Sequence, residues 1–504
     1  MFGVPSLGDL NVVATLPVTL LAMGACVVLI ADLFIPRDRK HITAWLAAIG
    51  IGVSLALSLL SLGGLITLGD GETAFAGMYR ADALTDAIGV AALITALLGV
   101  MVAYDYLERT RIQRGEYYVL LLFSAAGAML MGAANNLVIV FIALELLSIP
   151  LYILSGFRRP DAASEESAMK YFLLGAFSSG FLIYGIALIY GATGAIDLPG
   201  VWEAAGRVVA GGSSARFLLL IGGGLVLVGL GFKVAAVPFH MWTPDVYQGA
   251  PTPVVAYMSV AAKIGGFGAL VRVFGGGLSS FVLETDAAAA WQDTIWLLAV
   301  LTMLLGNFVA IMQSDLKRLL AYSTIAHAGY ILIALAAAGT AGLEDEAAQA
   351  VIIYLLAYAF TNVGAFAVIA TIERDDATNT SLDALRGLAA RRPWLAAAMA
   401  VFMLSLTGIP LTAGFIGKWY VFKVALQADL IAAAVVGVLT SAVSAYYYLR
   451  VVWMMYFEEG AGEASTPPAL AWGIGIAAVG TLLLGALPYI LSDMAREITL
   501  AFGG

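Results

Sequence analysis

Residues 227–253 read LVGLGFKVAAVPFHMWTPDVYQGAPTP, and this stretch decides the fold. An apolar run surrounds one charged side chain, Lys233, and Pro238 follows five residues later. Because proline has no backbone N–H to donate, an apolar helix should break near this point. A break at membrane depth is tolerated only where protein or cavity water satisfies the freed backbone groups. The stretch therefore predicts an interrupted transmembrane helix that holds a buried lysine.

The composition of the whole chain also requires a membrane. Of its 504 residues, 62% are hydrophobic and 12% are charged, whereas soluble proteins are about half apolar and about a quarter charged. The net charge of −9 argues against a nucleic-acid partner, which would need clustered Lys and Arg. The N-terminus lacks the positive segment of a cleaved signal peptide, so the first apolar run should be a retained span.

Apolar runs of about 20 residues are long enough to cross a bilayer as helices. We therefore predict an all-α polytopic membrane protein with about 14 transmembrane helices. The spans are 13–33, 42–67, 82–104, 117–133, 136–157, 168–191, 214–238, 251–274, 294–313, 319–340, 347–371, 393–425, 429–456 and 469–491. The twelfth is too long for one straight crossing.

Basic residues divide unevenly between alternate connections, with 16 of the 25 on one side and five on the other. Because positive residues stay in the cytoplasm, both termini should face outward, into the periplasm of a bacterial inner (plasma) membrane. The 16 are Arg37, Arg39, Lys40, Arg109, Arg111, Arg114, Arg158, Arg159, Lys170, Lys317, Arg318, Arg374, Arg386, Arg391, Arg392 and Arg450, and the five are Arg80, Arg207, Arg216, Arg272 and Arg496. The remaining four lie within spans: Lys233, Lys263, Lys418 and Lys423.

A charge at mid-bilayer costs about 2.5–3.5 kcal/mol on insertion scales and marks a candidate functional residue. Glu145 is the only carboxylate at the centre of a span. It can lock two helices in a structural ion pair, or it can switch the protonation of Lys233. Both interpretations need a lysine partner. His240, near the inner end of the same interrupted segment, is either a proton shuttle or an interfacial histidine bonded to a loop.

The other lysines and one histidine extend this set of candidates. Lys263 is central in span 8 and too deep to reach the interface easily, which indicates a proton relay. Lys418 follows the sequence GIPLTAGFIG in span 12, a second broken helix with a lysine. Lys423 lies nearer the outer end and is interpreted as structural. His327 in span 10 is either a packing residue or a bridge between Lys263 and Lys418.

The two broken spans, 7 and 12, are five spans apart and run in opposite directions. Interrupted helices at corresponding places in two halves indicate inverted repeats, with the site at their interface. We therefore predict two inverted five-helix repeats, spans 4–8 and 9–13, with broken helices 7 and 12. In one integral membrane domain, 1–504, residues 1–116 hold three N-terminal helices, 117–274 repeat one, 294–456 repeat two and 469–491 the final helix.

Redox centres are not expected in this chain. Cys26 is the only cysteine, and iron–sulfur clusters need several thiolates. The three histidines, His41, His240 and His327, are too scattered to predict a haem or a metal site.

The strings FKVAAVPFHMWTPDVYQGAPTPV, LKRLLAYSTIAHAGY and LTAGFIGKWYVFK resemble the antiporter-like proton-channel subunits of complex I, the respiratory NADH-quinone oxidoreductase. Order and spacing are most similar to the subunit N group, in which a lysine stands at the place of Lys418 and the sibling subunit M typically has glutamate. The resemblance implies a Glu145–Lys233 pair, a central Lys263 and an exit-side Lys418.

The resemblance also implies the partners and the chemistry of the complex. The chain would be a non-redox, proton-translocating subunit that couples quinone reduction to pumping through a Glu/Lys/His relay. Its partners would be other membrane and peripheral subunits, the lipid bilayer and protons. NADH, FMN, iron–sulfur clusters and quinone would be bound by those other subunits, with no cofactor and no metal in this chain.

Two other function classes remain open at this point. A subunit of a multisubunit cation/proton antiporter would share the same lysines. An unrelated solute transporter would need a midplane substrate pocket, and no distinct set of residues indicates one.

Overall fold

The computed structural model describes residues 10–36, 39–69, 73–210, 214–277, 286–373, 380–460 and 464–500. These residues are almost entirely helical, with one small antiparallel ribbon of β1 (Thr73–Ala74) and β2 (Tyr79–Arg80). The helices are α1 (Leu16–Asp32), α2 (His41–Leu62), α3 (Ala83–Arg109), α4 (Glu116–Ala133), α5 (Leu137–Ser155), α6 (Ala162–Thr193), α7 (Leu198–Ala210), α8 (Ser214–Val234), α9 (Trp242–Gly249), α10 (Thr252–Leu270), α11 (Asp286–Ile311), α12 (Leu316–Ala337), α13 (Glu344–Ile372), α14 (Leu388–Arg391), α15 (Pro393–Thr407), α16 (Ala413–Gln427), α17 (Ile431–Phe457), α18 (Pro468–Ala486) and α19 (Tyr489–Arg496).

Among the described residues, 13 helices are long and apolar enough to cross a membrane. They coincide with 13 of the predicted spans. The remaining span, 393–425, is divided into α15 and α16, of 15 residues each. The two shorter helices together occupy the predicted span. The prediction of an all-α polytopic membrane protein with fourteen spans is therefore confirmed.

Both predicted helix breaks are present. Helix α8 ends at Val234, and α9 begins at Trp242. The helix ends before Pro238 because Ala235 takes a left-handed φ of 63°, which costs an L-residue about 1–2 kcal/mol. Helix α15 ends in the same way, since Gly408 has a φ of 91°. Glycine adopts this conformation without a Cβ penalty.

The two five-span repeats meet along the most deeply buried helices. Span 7, the fourth of repeat one, is α8 and α9, and span 12, the fourth of repeat two, is α15 and α16. The spanning part of α10 is wholly buried, and those of α12 and α13 are nearly so. Helix α10 packs against α13, so the centre of the molecule is protein on every side. Lys263 on α10 and His327 on α12 are therefore held away from lipid.

The connections that the distribution of Lys and Arg assigns to one side of the membrane lie together in the structure. The Glu373 side chain, which is 1% exposed, accepts a hydrogen bond from Tyr106 and lies within 4.0 Å of Arg158 and Lys317. Arg109 donates to the Glu373 carbonyl at 3.1 Å. The connections after spans 3, 5, 9 and 11 therefore lie together, as predicted. Arg37 and Arg374 of the same count lie outside the described residues.

A buried ion pair joins helices on the opposite side. The Arg272 guanidinium, which is fully buried, donates to both carboxylate oxygens of Asp82 at 2.5 and 2.6 Å. Arg272 also donates to the Gly132 carbonyl at 2.7 Å and to Thr85 at 2.8 Å. Asp82 in turn caps α3 by accepting the Thr85 amide. This bidentate contact ties the end of α10 to α3 and α4.

Replacing Asp82 with alanine should destabilise the protein because it leaves the buried Arg272 charge unpaired. Breaking such a pair from one side costs about 3–5 kcal/mol. We expect a large fall in the amount of folded protein in membranes and in its midpoint temperature of unfolding. Glu203→Ala is the control, since Glu203 forms an exposed pair with Arg207 and such pairs contribute about 1 kcal/mol or less. Equal stability of the two variants would contradict the assignment.

Candidate functional site

Lys233 lies in the last turn of α8, enclosed by side chains of α5 and α6. Its Nζ donates to the Ser148 hydroxyl at 2.7 Å and to the Tyr171 hydroxyl at 3.2 Å. The ammonium also lies over the rings of Tyr152 and Tyr171, 5.7 and 5.3 Å from their centroids. Aromatic faces attract a cation when water is excluded. Hydroxyl groups and ring faces thus surround this lysine, and among the described residues no carboxylate forms an ion pair with it.

Glu145 is close to Lys233 but is not joined to it directly. Among the described residues, no ion pair closer than 4.0 Å joins the two side chains. Glu145 accepts a hydrogen bond from Ser179 on α6, and it lies one helical turn from Ser148, the partner of Lys233. A proton or a charge passing between them would therefore go by way of Ser148 or water. Ser148, whose hydroxyl accepts from Lys233 and donates to the Leu144 carbonyl, and Glu145 therefore lie on neighbouring turns of α5.

Lys263 meets the end of the first broken helix. This side chain is 2% exposed, and its Nζ donates to the carbonyl of Val234, the last residue of α8, at 3.3 Å. The last carbonyls of a helix have no intrahelical partner, and that end of the helix carries partial negative charge. Both features favour a cation at this position.

Lys418 meets the end of the second broken helix. Its Nζ donates to the carbonyls of Leu406 and Thr407, the last two residues of α15, at 2.9 and 2.8 Å. It also donates to the Ser441 hydroxyl at 2.7 Å. The ammonium lies 5.0 Å from the centroid of the Tyr330 ring. Repeat two therefore holds its lysine against a helix end, as repeat one holds Lys263.

His327 lies between these two lysines in a cage of tyrosines. Its Nδ1 forms a hydrogen bond of 2.6 Å with the Tyr354 hydroxyl, and its Nε2 forms one of 3.1 Å with the Tyr448 hydroxyl. The Tyr330 and Tyr358 rings pack against the imidazole. Both ring nitrogens therefore face a group that can donate or accept a proton.

Further polar groups occupy the interior between Lys263 and His327. Ser259, one turn from Lys263 on α10, accepts a hydrogen bond of 2.7 Å from Asn362 on α13. The Asn362 Oδ1 is buried without a partner among the described residues. A cavity of about 10 Å³ lies beside His327 and is lined by Thr361 and Ser405. That volume is about enough for one water molecule.

Sequence reasoning did not identify the hydroxyl and amide groups that connect the charged residues. Several of them stand out as polar residues in apolar helices, and their tertiary partners alone show their role. They are Ser148, Tyr171, Ser179, Ser259, Tyr354, Asn362, Ser441 and Tyr448.

His240 and Lys423 are not among the described hydrogen-bond partners of the buried lysines. His240 is in the break between α8 and α9, half-buried, and its Nδ1 lacks a partner among the described residues. Lys423 is exposed on α16 and lies 6.0 Å from the centroid of the Tyr420 ring. Neither side chain is hydrogen-bonded to another candidate residue among those described.

A polar cavity of about 300 Å³ opens on the side of the basic connections. Its lining includes Lys170, which neighbours the Tyr171 partner of Lys233, and Asp245 on α9. Lys170 and Arg318 both donate hydrogen bonds to the Asp245 carboxylate, at 2.7 and 2.8 Å. Charged side chains therefore line this cavity near the N-terminal end of α6, the helix that contains Tyr171.

Within the described residues, no group of three or more His, Cys, Asp and Glu side chains could hold a metal ion. What the site offers chemically is a set of titratable and hydroxyl side chains in a deeply buried interior. Lysine, histidine and tyrosine can each give up and regain a proton. The arrangement is suited to moving protons across the width of the molecule.

Comparison with known proteins places this geometry in a family. The family described as NADH:quinone oxidoreductase/Mrp antiporter, TM, matches residues 134–444. NADH-quinone oxidoreductase subunit N 2 of Roseiflexus castenholzii is 43% identical, over 94% of this chain and 94% of its own length. Subunit N of Trichlorobacter lovleyi is also 43% identical, over 97% of this chain and 96% of its own length.

Solved structures share the fold. A chain of respiratory complex I from Thermus thermophilus with bound aureothin has a TM-score of 0.79 and 36% identity, covering 96% of this chain and 100% of that chain. A chain of the Mrp complex from Dietzia sp. has a TM-score of 0.80 and 22% identity, covering 97% and 96%. At that lower identity the likeness shows the fold alone.

Three of the buried lysines, those proposed from the sequence as relay groups, should resist a water-soluble amine-acylating reagent in the folded protein. Lys233, Lys263 and Lys418 are each 5% exposed or less, so the reagent cannot reach their amines. Lys170, whose side chain is 40% exposed, should be acylated readily and serves as the internal control. Peptide mass spectrometry after brief labelling measures both. Acylation of a buried lysine at the rate of Lys170 would show that the interior is open to bulk water.

Proposed function

The chain belongs to the NADH:quinone oxidoreductase/Mrp antiporter family, and within it to the subunit N group, and from that premise we propose that its buried lysines carry protons across the membrane. The protein is a proton-translocating membrane subunit of the NADH-quinone oxidoreductase, which couples quinone reduction to proton pumping. One observation supports the lysines above all. Lys263 and Lys418 bind the carbonyl ends of interrupted helices deep inside the molecule.

The first part of the proposed path is the neighbourhood of Glu145 and Lys233. A change of charge at Glu145 alters the cost of keeping Lys233 protonated, since a nearby carboxylate favours the ammonium form. Ser148 accepts a hydrogen bond from Lys233 and lies one helical turn from Glu145 on α5. Lys233 would accordingly take up or release a proton as the charge at Glu145 changes.

The second part of the path runs from Lys263 through His327 to Lys418. A proton released by Lys263 would travel through water and hydroxyl groups to the imidazole. His327 can receive a proton on one nitrogen and release it from the other, because each nitrogen meets a tyrosine hydroxyl. Lys418 would be the group nearest the exit. Like charges at neighbouring sites disfavour each other, which spaces the protons along the path.

His240 would be an accessory entry group. It lies in the helix break and has a buried Nδ1 without a partner among the described residues, so it could pass a proton from the inner surface. Among the described residues it has no hydrogen bond to a relay lysine, so it would be a side branch of the relay.

The proposed division of labour assigns redox chemistry to other subunits. NADH, FMN, iron–sulfur clusters and quinone would all be bound elsewhere in the complex, and this chain would contribute proton transfer without a redox centre. Other subunits of the complex are its partners, and protons and lipids would be its remaining contacts. The membrane would be the bacterial inner membrane, with both termini in the periplasm. Residues 117–274 and 294–456 would be the two repeats.

A multisubunit cation/proton antiporter is the alternative. The Mrp chain supports it at the level of fold, with 22% identity. The relatives that are 43% identical over nearly the whole chain carry the subunit N name, and they favour the oxidoreductase.

Replacing Glu145 or Lys233 with alanine should lower NADH-driven proton pumping by about 10²-fold or more, because a positioned proton-transfer group contributes at least that much. The coupled quinone reduction should fall with it. Pumping is measured as the pH gradient formed by membrane vesicles, normalised to the amount of assembled complex.

Two matched variants control for these changes. Glu165→Ala removes an exposed carboxylate from α6, and Lys423→Ala removes an exposed lysine from α16. Both should pump like the unmodified complex. Normal pumping by Glu145→Ala and Lys233→Ala would refute the proposed pair.

Lys263→Arg should abolish most pumping while keeping a positive charge at the centre of α10. Arginine remains protonated in proteins, so it cannot hand a proton on. The same assay measures this variant, with Lys423→Arg as the control on α16. If Lys263→Arg pumps as well as its control, Lys263 is a structural cation and the relay does not pass through it.

A further inference from the structure

A helix carbonyl normally accepts the N–H of the residue four positions later. The carbonyl of Val234 would accept the N–H of residue 238, which is Pro238 and has none. The donor that reaches this carbonyl instead is the Lys263 Nζ, at 3.3 Å. Because Pro238 has no N–H, this backbone donor does not compete with Lys263 for the Val234 carbonyl.

The same four-residue spacing between carbonyl and proline occurs in the second repeat, where the local sequence is different. The carbonyl of Leu406 would accept the N–H of residue 410, which is Pro410. The donor that reaches it is the Lys418 Nζ, at 2.9 Å. Lys418 takes the neighbouring Thr407 carbonyl as well, at 2.8 Å. In both repeats, a proline four residues later coincides with the carbonyl that the lysine uses.

We propose that Pro238 and Pro410 are positioning residues of the proton path, each keeping one helix carbonyl free to hold a relay lysine. The inference rests on the proposed role of Lys263 and Lys418. The prolines would then do more than break a helix, since they would also leave a carbonyl free for the lysine. Pro150, inside α5, also lacks an N–H, yet α5 continues through it to Ser155. A missing N–H matters at the two breaks because a lysine occupies the carbonyl.

A carbonyl suits this purpose because it only accepts hydrogen bonds. It can accept from the ammonium and, more weakly, from the N–H of the neutral amine. The lysine therefore keeps one position in both protonation states. A carboxylate would hold the ammonium form preferentially and oppose release of the proton. The helix end thus fixes the place of the side chain and leaves the proton free to move.

The test separates the missing N–H from the proline ring. At position 238, Pro238→Ala restores a backbone N–H. Incorporation of lactic acid at the same position gives the alanine side chain with an ester oxygen in place of the N–H. The same two replacements are made at position 410. Pro468→Ala is the control, because Pro468 is exposed in the first turn of α18, where an N–H needs no helical acceptor.

NADH-driven pumping per assembled complex is the readout. The alanine variants at 238 and 410 should lose about tenfold or more, the effect of one hydrogen bond to a charged group. The lactic acid variants should retain most of the pumping, and Pro468→Ala should be unchanged. If alanine and lactic acid have the same effect at both positions, the N–H is irrelevant and the proposal fails.

A second measurement does not depend on pumping. Lys263→Ala leaves the Val234 carbonyl buried without its donor, which should lower the unfolding temperature of the subunit in the assembled complex. Adding Pro238→Ala supplies an N–H to that carbonyl and should recover part of the loss. The double variant being less stable than Lys263→Ala would contradict the proposal. Recovery without any effect of the prolines on pumping would uphold the backbone contact and overturn the role in the path.

Discussion

The structure depends on one constraint: a backbone carbonyl cannot remain unpaired in the interior of a membrane protein. Each interrupted span creates such carbonyls at the end of a half-helix. In each repeat, a buried lysine donates a hydrogen bond to them. Lys263 satisfies Val234, and Lys418 satisfies Leu406 and Thr407. The lysine and the broken helix therefore stabilise each other. Neither feature would be tolerated alone at this depth, since an isolated charge and an isolated carbonyl both cost free energy.

The remaining polar groups of the interior form the connection between these anchored charges. His327 has a tyrosine hydroxyl on each nitrogen, and Lys233 donates to the hydroxyls of Ser148 and Tyr171. A hydroxyl group can both donate and accept a hydrogen bond. Direct ion pairs would fix a charge in place, whereas hydroxyl partners leave the lysine free to change its protonation state. The buried lysines and His327 are accordingly separate titratable groups with uncharged partners.

The architecture also explains how related chains can serve different complexes. The fold is shared with a chain of the Mrp complex at 22% identity, while the relatives at 43% identity are subunits N of the oxidoreductase. Helix breaks depend on a few prolines, glycines and lysines. The remaining apolar surface can diverge, and the outward apolar faces of α6 and α17 are examples, because lipid or a partner subunit can cover them.

Local signals in the sequence predicted the membrane class, the fourteen spans, both breaks and the burial of Lys233, Lys263 and Lys418, because hydrophobic length, proline and mid-membrane lysine can be recognised without tertiary structure. They also indicated which connections share a side. The packing of the helices decided which groups meet: Lys263 reaches the end of α8, Ser148 stands beside Lys233, and tyrosines enclose His327. Hydroxyl and carbonyl partners come from helices distant in the chain, and their hydrogen bonds exist only once those helices pack. A polar residue in an apolar run therefore indicates that it has a partner, but not which residue the partner is.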